Sequence, residues 1–214
     1  MKVEFTYDID KDVENFTKTL NSVNHKEHTV FHELYIKKHG NDFKSDKIRH
    51  FILEYLSSTD LTPILSRIES EWRSIEAEFI ERAEKIFGIK YPHQKITAYL
   101  TTNNRCSYNT KASYFFVYLH NKKSNNPIIM HELFHFYTWY TFYEEFENGG
   151  VSKEKYDDIK ESLTELLNIE FADLLNGEVD KGYPQHQEMR NRIREIWATE
   201  KDLKKLVQEL NKEV

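Results

Sequence analysis

A chain of 214 residues, 39% hydrophobic and 31% charged, is long enough to bury a core as one domain or as a domain with a helical extension. Its formal net charge of −6 comes from acidic and basic residues mixed throughout, which gives no support for nucleic-acid binding. The single cysteine, Cys106, excludes an internal disulfide framework and makes a cytoplasmic protein the expectation.

The opening residues 1–8 carry no apolar h-region, so no secretory signal is expected. Residues 11–56 read as two or three amphipathic helices. Asp10 or Asp12 offers an opening cap, Gly40 a stop, and Ser45 with Asp46 a restart before Ile48, Phe51, Ile52, Tyr55 and Leu56. Asp60-Leu61-Thr62-Pro63 opens the clearest helix. Its apolar positions Leu61, Ile64, Leu65, Ile68, Trp72, Ile75, Phe79, Ala83 and Ile86 recur at spacings of three and four, and Gly88 ends it near residue 87.

The pattern then changes. Residues 95–102 and 113–120 are short and rich in Tyr, Phe, Val, Ile and Thr, which predicts two strands with the polar stretch 102–111 between them. The longest apolar run, residues 114–119, is far too short to cross a membrane. Residues 121–127 form a turn, and Pro127 suits the first turn of a helix running to about Glu147, where Asn148-Gly149-Gly150 breaks it. Ser152 caps the next helix, predicted to continue to about Asn176 and stop at Gly177. A loop at residues 180–184 and helices over 187–197 and 201–210 complete the chain. The expected fold is α+β and mainly helical, with a small antiparallel or mixed sheet packed beside the helix of residues 127–147. Residues 1–90 read as a helical N-terminal region packed on a core of residues 91–214.

That helix contains His131-Glu132-Leu133-Phe134-His135. Residues four apart on a helix lie one turn above each other, so His131 and His135 can point two imidazoles at one metal ion. Glu132 is turned about 100° from His131 and sits beside such an ion without having to bind it. Zinc suits two neutral imidazoles in a tetrahedral site, and a carboxylate beside it can take a proton from water near neutral pH. The uncharged flanking residues Ile128, Ile129, Met130, Leu133, Phe134 and Phe136 are what a site on the core side of a helix requires. His28 and His32 are also four apart, but the catalytic order is absent there, and they read as a surface or satisfied core pair.

Two histidines leave zinc short of a protein ligand. His135 lies fourteen residues before Gly149, so an antiparallel helix after Gly150 passes the metal at roughly residues 161–166, which contains Glu161 and Glu165. Glu170 is a third possibility, because it lies near the middle of the apolar face made by Ile159, Leu163, Leu166, Leu167, Phe171 and Leu174. Glu161 and Glu165 lie toward the opposite side of that wheel. Glu144, Glu145 and Glu147 are too far along the motif helix to fold back.

His-Glu-x-x-His resembles the metal-binding helix of zincin metallopeptidases. The long metzincin form needs Gly at 138 and His at 141, where this chain has Thr138 and Thr141. Lys160-Glu161-Ser162-Leu163-Thr164-Glu165 resembles the third-ligand helix of thermolysin-type gluzincins. Lys160 stands where that family usually has Asn, and Glu165 where it usually has Asp. The resemblance covers the two motif helices and, loosely, the strand before them. It implies a zincin-like core with Glu161 as the third zinc ligand and Glu165 as the outer carboxylate that orients a ligand histidine. It also implies an oxyanion donor, Tyr or His, downstream of the third ligand; His186 and Tyr183 are the local candidates. The strand of residues 113–120 is the candidate edge strand for an extended peptide. The expected activity is zinc-dependent hydrolysis of a peptide or protein substrate, with Glu132 as general base and then acid and no nucleic-acid or membrane partner. The alternative is a non-catalytic zincin-like module that binds zinc or a protein partner. The intact Glu132 favours the enzyme, because a structural site needs no base in that position.

Overall fold

Lys2, Glu4 and Thr6 alternate with Val3, Phe5 and Tyr7, the period-two pattern of a half-buried strand. Lys2–Tyr7 accordingly form β1, with Val3 buried. In the computed structural model, which describes residues 1–21, 28–149 and 151–212, β1 is the edge of a four-stranded sheet ordered β1-β2-β4-β3. β2 (Lys95–Thr101) runs parallel to β1 from Lys2↔Lys95 to Tyr7↔Leu100, and parallel to β4 (Tyr114–Tyr118) from Thr97↔Tyr114 to Thr101↔Tyr118. The two-residue β3 (Tyr108–Asn109) lies antiparallel on the other side of β4. The sheet is therefore mixed, and with ten α-helices among the described residues the fold is α+β and mainly helical. No helix among those residues is long and apolar enough to cross a membrane.

The chain divides into two units, Met1–Ser74 with His93–Asn125 and Ile75–Pro92 with Asn126–Val214. The first holds the whole sheet and the helices α1 (Ile9–Leu20), α2 (Val30–His39), α3 (Ser45–Leu56) and α4 (Leu61–Arg73). Asp8 caps α1 by accepting from the backbone N–H groups of Asp10 and Lys11. Asp12 then ties α1 to the end of β2: its buried carboxylate accepts from the Thr101 hydroxyl at 2.6 Å and the Thr102 N–H at 3.0 Å. Thr29 and His32 form a reciprocal capping box at the start of α2. His32 is fully buried, accepting at Nδ1 from the Thr29 N–H and facing the Phe16 carbonyl with Nε2. Of the second histidine pair, His32 is thus a satisfied core side chain.

The second unit is all helix among the described residues. It contains α5 (Glu76–Phe87), α6 (Asn126–Asn148), α7 (Lys153–Leu163), α8 (Glu165–Glu170), α9 (Gln187–Thr199) and α10 (Leu203–Lys212), with a 3-10 turn at Pro184–His186. Aromatic rings fill its core. Phe87 meets Phe134 at 5.1 Å and Tyr137 at 5.3 Å between centroids, and Phe171 meets Phe79 at 5.2 Å.

Several expectations change. Residues 1–90 are not only helical, since β1 belongs to the sheet, and the division between units falls after Ser74, Pro92 and Asn125 rather than near residue 90. The strands expected in one core with the motif helix consequently belong to the other unit. The helix expected over residues 61–87 is broken, because the Ser74 hydroxyl donates to the Glu71 carbonyl at 2.7 Å and competes with the helical ladder. The helix expected over residues 153–176 ends at Leu163, restarts as α8 and gives way to turns after Glu170. β4 is an inner strand, flanked by β2 and β3, with its Phe116 N–H also taken by the Ser107 carbonyl at 2.9 Å. Gly150, expected to help end the motif helix, and residues 22–27 within the N-terminal helical stretch lie outside the described residues.

Candidate metal centre

α6 is apolar on most of its circumference, and Ile129, Met130, Leu133, Phe134, Phe136 and Tyr137 are all buried. That burial carries His135 and Glu132 out of water with them; His135 is 2% exposed and Glu132 6%. The rings of His131 and His135 stand 4.5 Å apart, as i and i+4 positions on one helical face should. α7, capped by the Ser152 hydroxyl, brings Glu161 against both of them. Glu161 Oε2 is 3.6 Å from His131 Nε2, and Oε1 is 3.4 Å from His135 Nε2.

This donor set fits zinc. Ligand atoms about 2.0–2.1 Å from the metal at tetrahedral corners stand about 3.3 Å from one another. The carboxylate-to-imidazole separations lie near that value, and one ligand atom from each of the three residues falls within 4.8 Å of the others. Two imidazoles and a carboxylate leave one tetrahedral corner for water or substrate, the pattern of a catalytic site.

The electrostatics follow from burial and neighbours. Burial opposes the charged form of His131, but the Asp180 carboxylate and then Glu161 and Glu132 outweigh it and raise its pKa well above the ordinary value. For His135 burial prevails, pushing it down to about 4 against the pull of Glu161. Glu161 is held far below the usual carboxylate range by His135, His131 and Lys160, which overcome its own burial. Lys160 has a buried side chain whose ammonium lies 3.0 Å from Asp157 and 3.3 Å from Glu161 Oε1.

The carboxylate on His131 is Asp180, with Oδ2 at 2.6 Å from His131 Nδ1. Glu165, expected in that place, is turned instead to Arg190 Nη2 at 2.8 Å and Arg194 Nε at 2.5 Å. The break at Thr164 is the reason, since α8 no longer continues the face of α7 that carries Glu161. Glu170 is taken up by Trp197 Nε1 at 2.7 Å and Lys201 Nζ at 2.6 Å. His186 is buried, with Nε2 at 3.0 Å from Asp158 and Tyr183 edge-on at 5.8 Å between centroids. Asp158 precedes Glu161 by three residues and shares its face of α7. Helical spacing could not have found Asp180, because it reaches His131 from a loop; its one signal is an acid two residues before a glycine.

No protein-family model, curated protein or solved structure matches the chain.

Proposed function

We propose that this chain is a zinc-dependent peptidase with a zincin-like centre, in which His131, His135 and Glu161 hold the metal and Glu132 is the general base. The observation that supports this most is the meeting of two α6 imidazoles with one α7 carboxylate at zinc-like separations, with a buried carboxylate directly after the first histidine. Zinc in such a site supplies Lewis-acid polarisation of a carbonyl and lowers the pKa of water. Glu132, beside the ligands and shielded from bulk solvent, takes the proton from water and returns it to the leaving amine. His131 donates a hydrogen bond from its Nδ1–H to Asp180, a tautomer that leaves the Nε2 lone pair for a metal. His186, with Nε2 against Asp158, is the candidate donor to a forming oxyanion, and Tyr183 packs on its ring. On this reading the substrate is a peptide or protein, and the setting is the cytoplasm, where a single cysteine stays reduced.

Elemental analysis and a peptide-library digest test the reading together. The native chain should carry one zinc, Glu161→Gln should lose it, and Glu165→Gln and Glu170→Gln should keep it. Glu132→Gln should keep the zinc but hydrolyse at least about 100-fold more slowly. Zinc without any hydrolysis would make the chain a metal-binding module. No zinc after reconstitution would reduce the motif to coincidence.

A further inference from the structure

Arg190 is one of the largest fully buried side chains among the described residues, only 2% exposed on α9. A guanidinium out of water requires partners on every side. Nη1 donates to the Thr164 hydroxyl at 2.7 Å. Nη2 faces the Asp180 carbonyl at 2.6 Å, Glu165 Oε2 at 2.8 Å and Asp180 Oδ1 at 3.0 Å, so its two protons are shared among three acceptors. The Asp180 carboxylate is thereby pinned through Oδ1, to which the Thr164 hydroxyl also lies at 3.1 Å, while Oδ2 is aimed at His131.

The backbone is built around the same group. Asn168 on α8 clamps Asp180 from both sides, accepting from its N–H at 2.8 Å and donating to its carbonyl at 2.8 Å. Gly182 has a φ of +58°, and a Cβ there would stand 2.7 Å from Arg190 Nη1 and 2.9 Å from Cδ and Cζ. Only glycine lets this loop close over the guanidinium. For stability alone a buried ion cluster is a poor device, since well-packed apolar residues often do as well or better. What this one adds is a carboxylate of fixed direction against an imidazole.

We propose that Arg190 is a positioning residue of the metal centre: acting through Asp180, it sets the orientation and tautomer of His131. The inference rests on the metal-site reading above and adds to it a dependence on α9, a helix that supplies no ligand.

The test measures zinc affinity by chelator competition and records the visible spectrum of the cobalt-substituted protein, with circular dichroism of the metal-free form as the folding control. Arg190→Gln and Asp180→Asn should each weaken zinc binding about 10–100-fold, the usual effect of losing an outer partner of a ligand histidine. The double variant should be no weaker than Asp180→Asn alone, and the singles should shift the cobalt bands alike. Arg190→Lys should not rescue, because a point ammonium cannot span three acceptors. If Arg190→Gln fails to fold, Gly182→Ala, which keeps every charge and displaces the guanidinium, carries the same prediction. Additive losses in the double variant, or unchanged zinc affinity in the singles or in Gly182→Ala, would overturn the inference while leaving the metal site standing. A native chain that binds no zinc removes the centre and the inference together.

Discussion

His32 and His135 are both buried imidazoles pushed down to about 4 by burial, yet their neighbours give them different uses. Both nitrogens of His32 are spent on backbone groups, at Thr29 and Phe16. Nε2 of His135 faces a carboxylate, with a second imidazole one turn away. His32 therefore bears on stability. In the unfolded chain it takes up a proton at about pH 6.5, and in the folded chain only at about 4. Between those values the unfolded state binds more protons, so stability is complete above about 6.5 and falls as the pH drops toward 4. Urea midpoints measured from pH 7 to pH 4 should show this loss, at most about 1.4 kcal/mol per pH unit. His32→Gln should remove its share of the loss and leave that of His135. An unchanged acid limb in that variant would assign the loss to other groups. His131, Glu132, His135 and Glu161 could be singled out from spacing and resemblance because their arrangement is that of two helices. Asp180 and Arg190 were hidden because one sits in a loop and the other looks, in sequence, like any charge on a solvated face.

Among the elements, the break between α7 and α8 has the largest effect on the site. A continuous helix would set Glu161 and Glu165 on one side and Leu163, Leu166 and Leu167 on the other, a conflict visible in the sequence. The break resolves it: α7 presents Glu161 to the histidines, and α8 presents Glu165 to α9. Thr164 makes this junction. Its one hydroxyl proton is shared between the Glu161 carbonyl at 2.8 Å and Asp180 Oδ1 at 3.1 Å, while the oxygen accepts from Arg190. Thr164→Val keeps the shape and removes these bonds, so it should cost about 1–3 kcal/mol in urea unfolding. A near-neutral result would mean that packing alone forms the junction. Helix existence was legible from apolar periodicity, but its interruptions were not. Ser74 and Thr164 are ordinary helix residues until a particular carbonyl, carboxylate or guanidinium engages their hydroxyls.

For the whole molecule, every proposed ligand comes from one unit. Zinc at about one hundred times its dissociation constant should stabilise the unfolding step that includes that unit by about 2.7 kcal/mol. Calorimetry with and without zinc would show it, and Glu161→Gln should abolish the shift. If the chain melts in two steps, the step belonging to the sheet-containing unit should stay in place; movement of that step alone would contradict the assignment of the ligands. The division itself was not legible, because the apolar stripe from Leu61 to Ile86 passes across Ser74 without interruption. β1 carried a strand pattern from its second residue, but its partner lies far along the chain, and no local signal announces such a pairing.

The pairing of Lys2 with Lys95 also constrains the order in which the chain can assemble. β1 has no strand partner until β2 has been synthesised, and the buried carboxylate of Asp12 waits just as long for Thr101 and Thr102. Until then α1 to α3 have one another to pack on, through Phe16 against Phe31 and Tyr35 and Phe31 against Phe51, but no sheet. Closing so long a loop slows this pairing relative to the nearer contacts. β1 is thus made well before its partner and settled only with it, and through that interval it presents an unpaired strand edge open to aggregation.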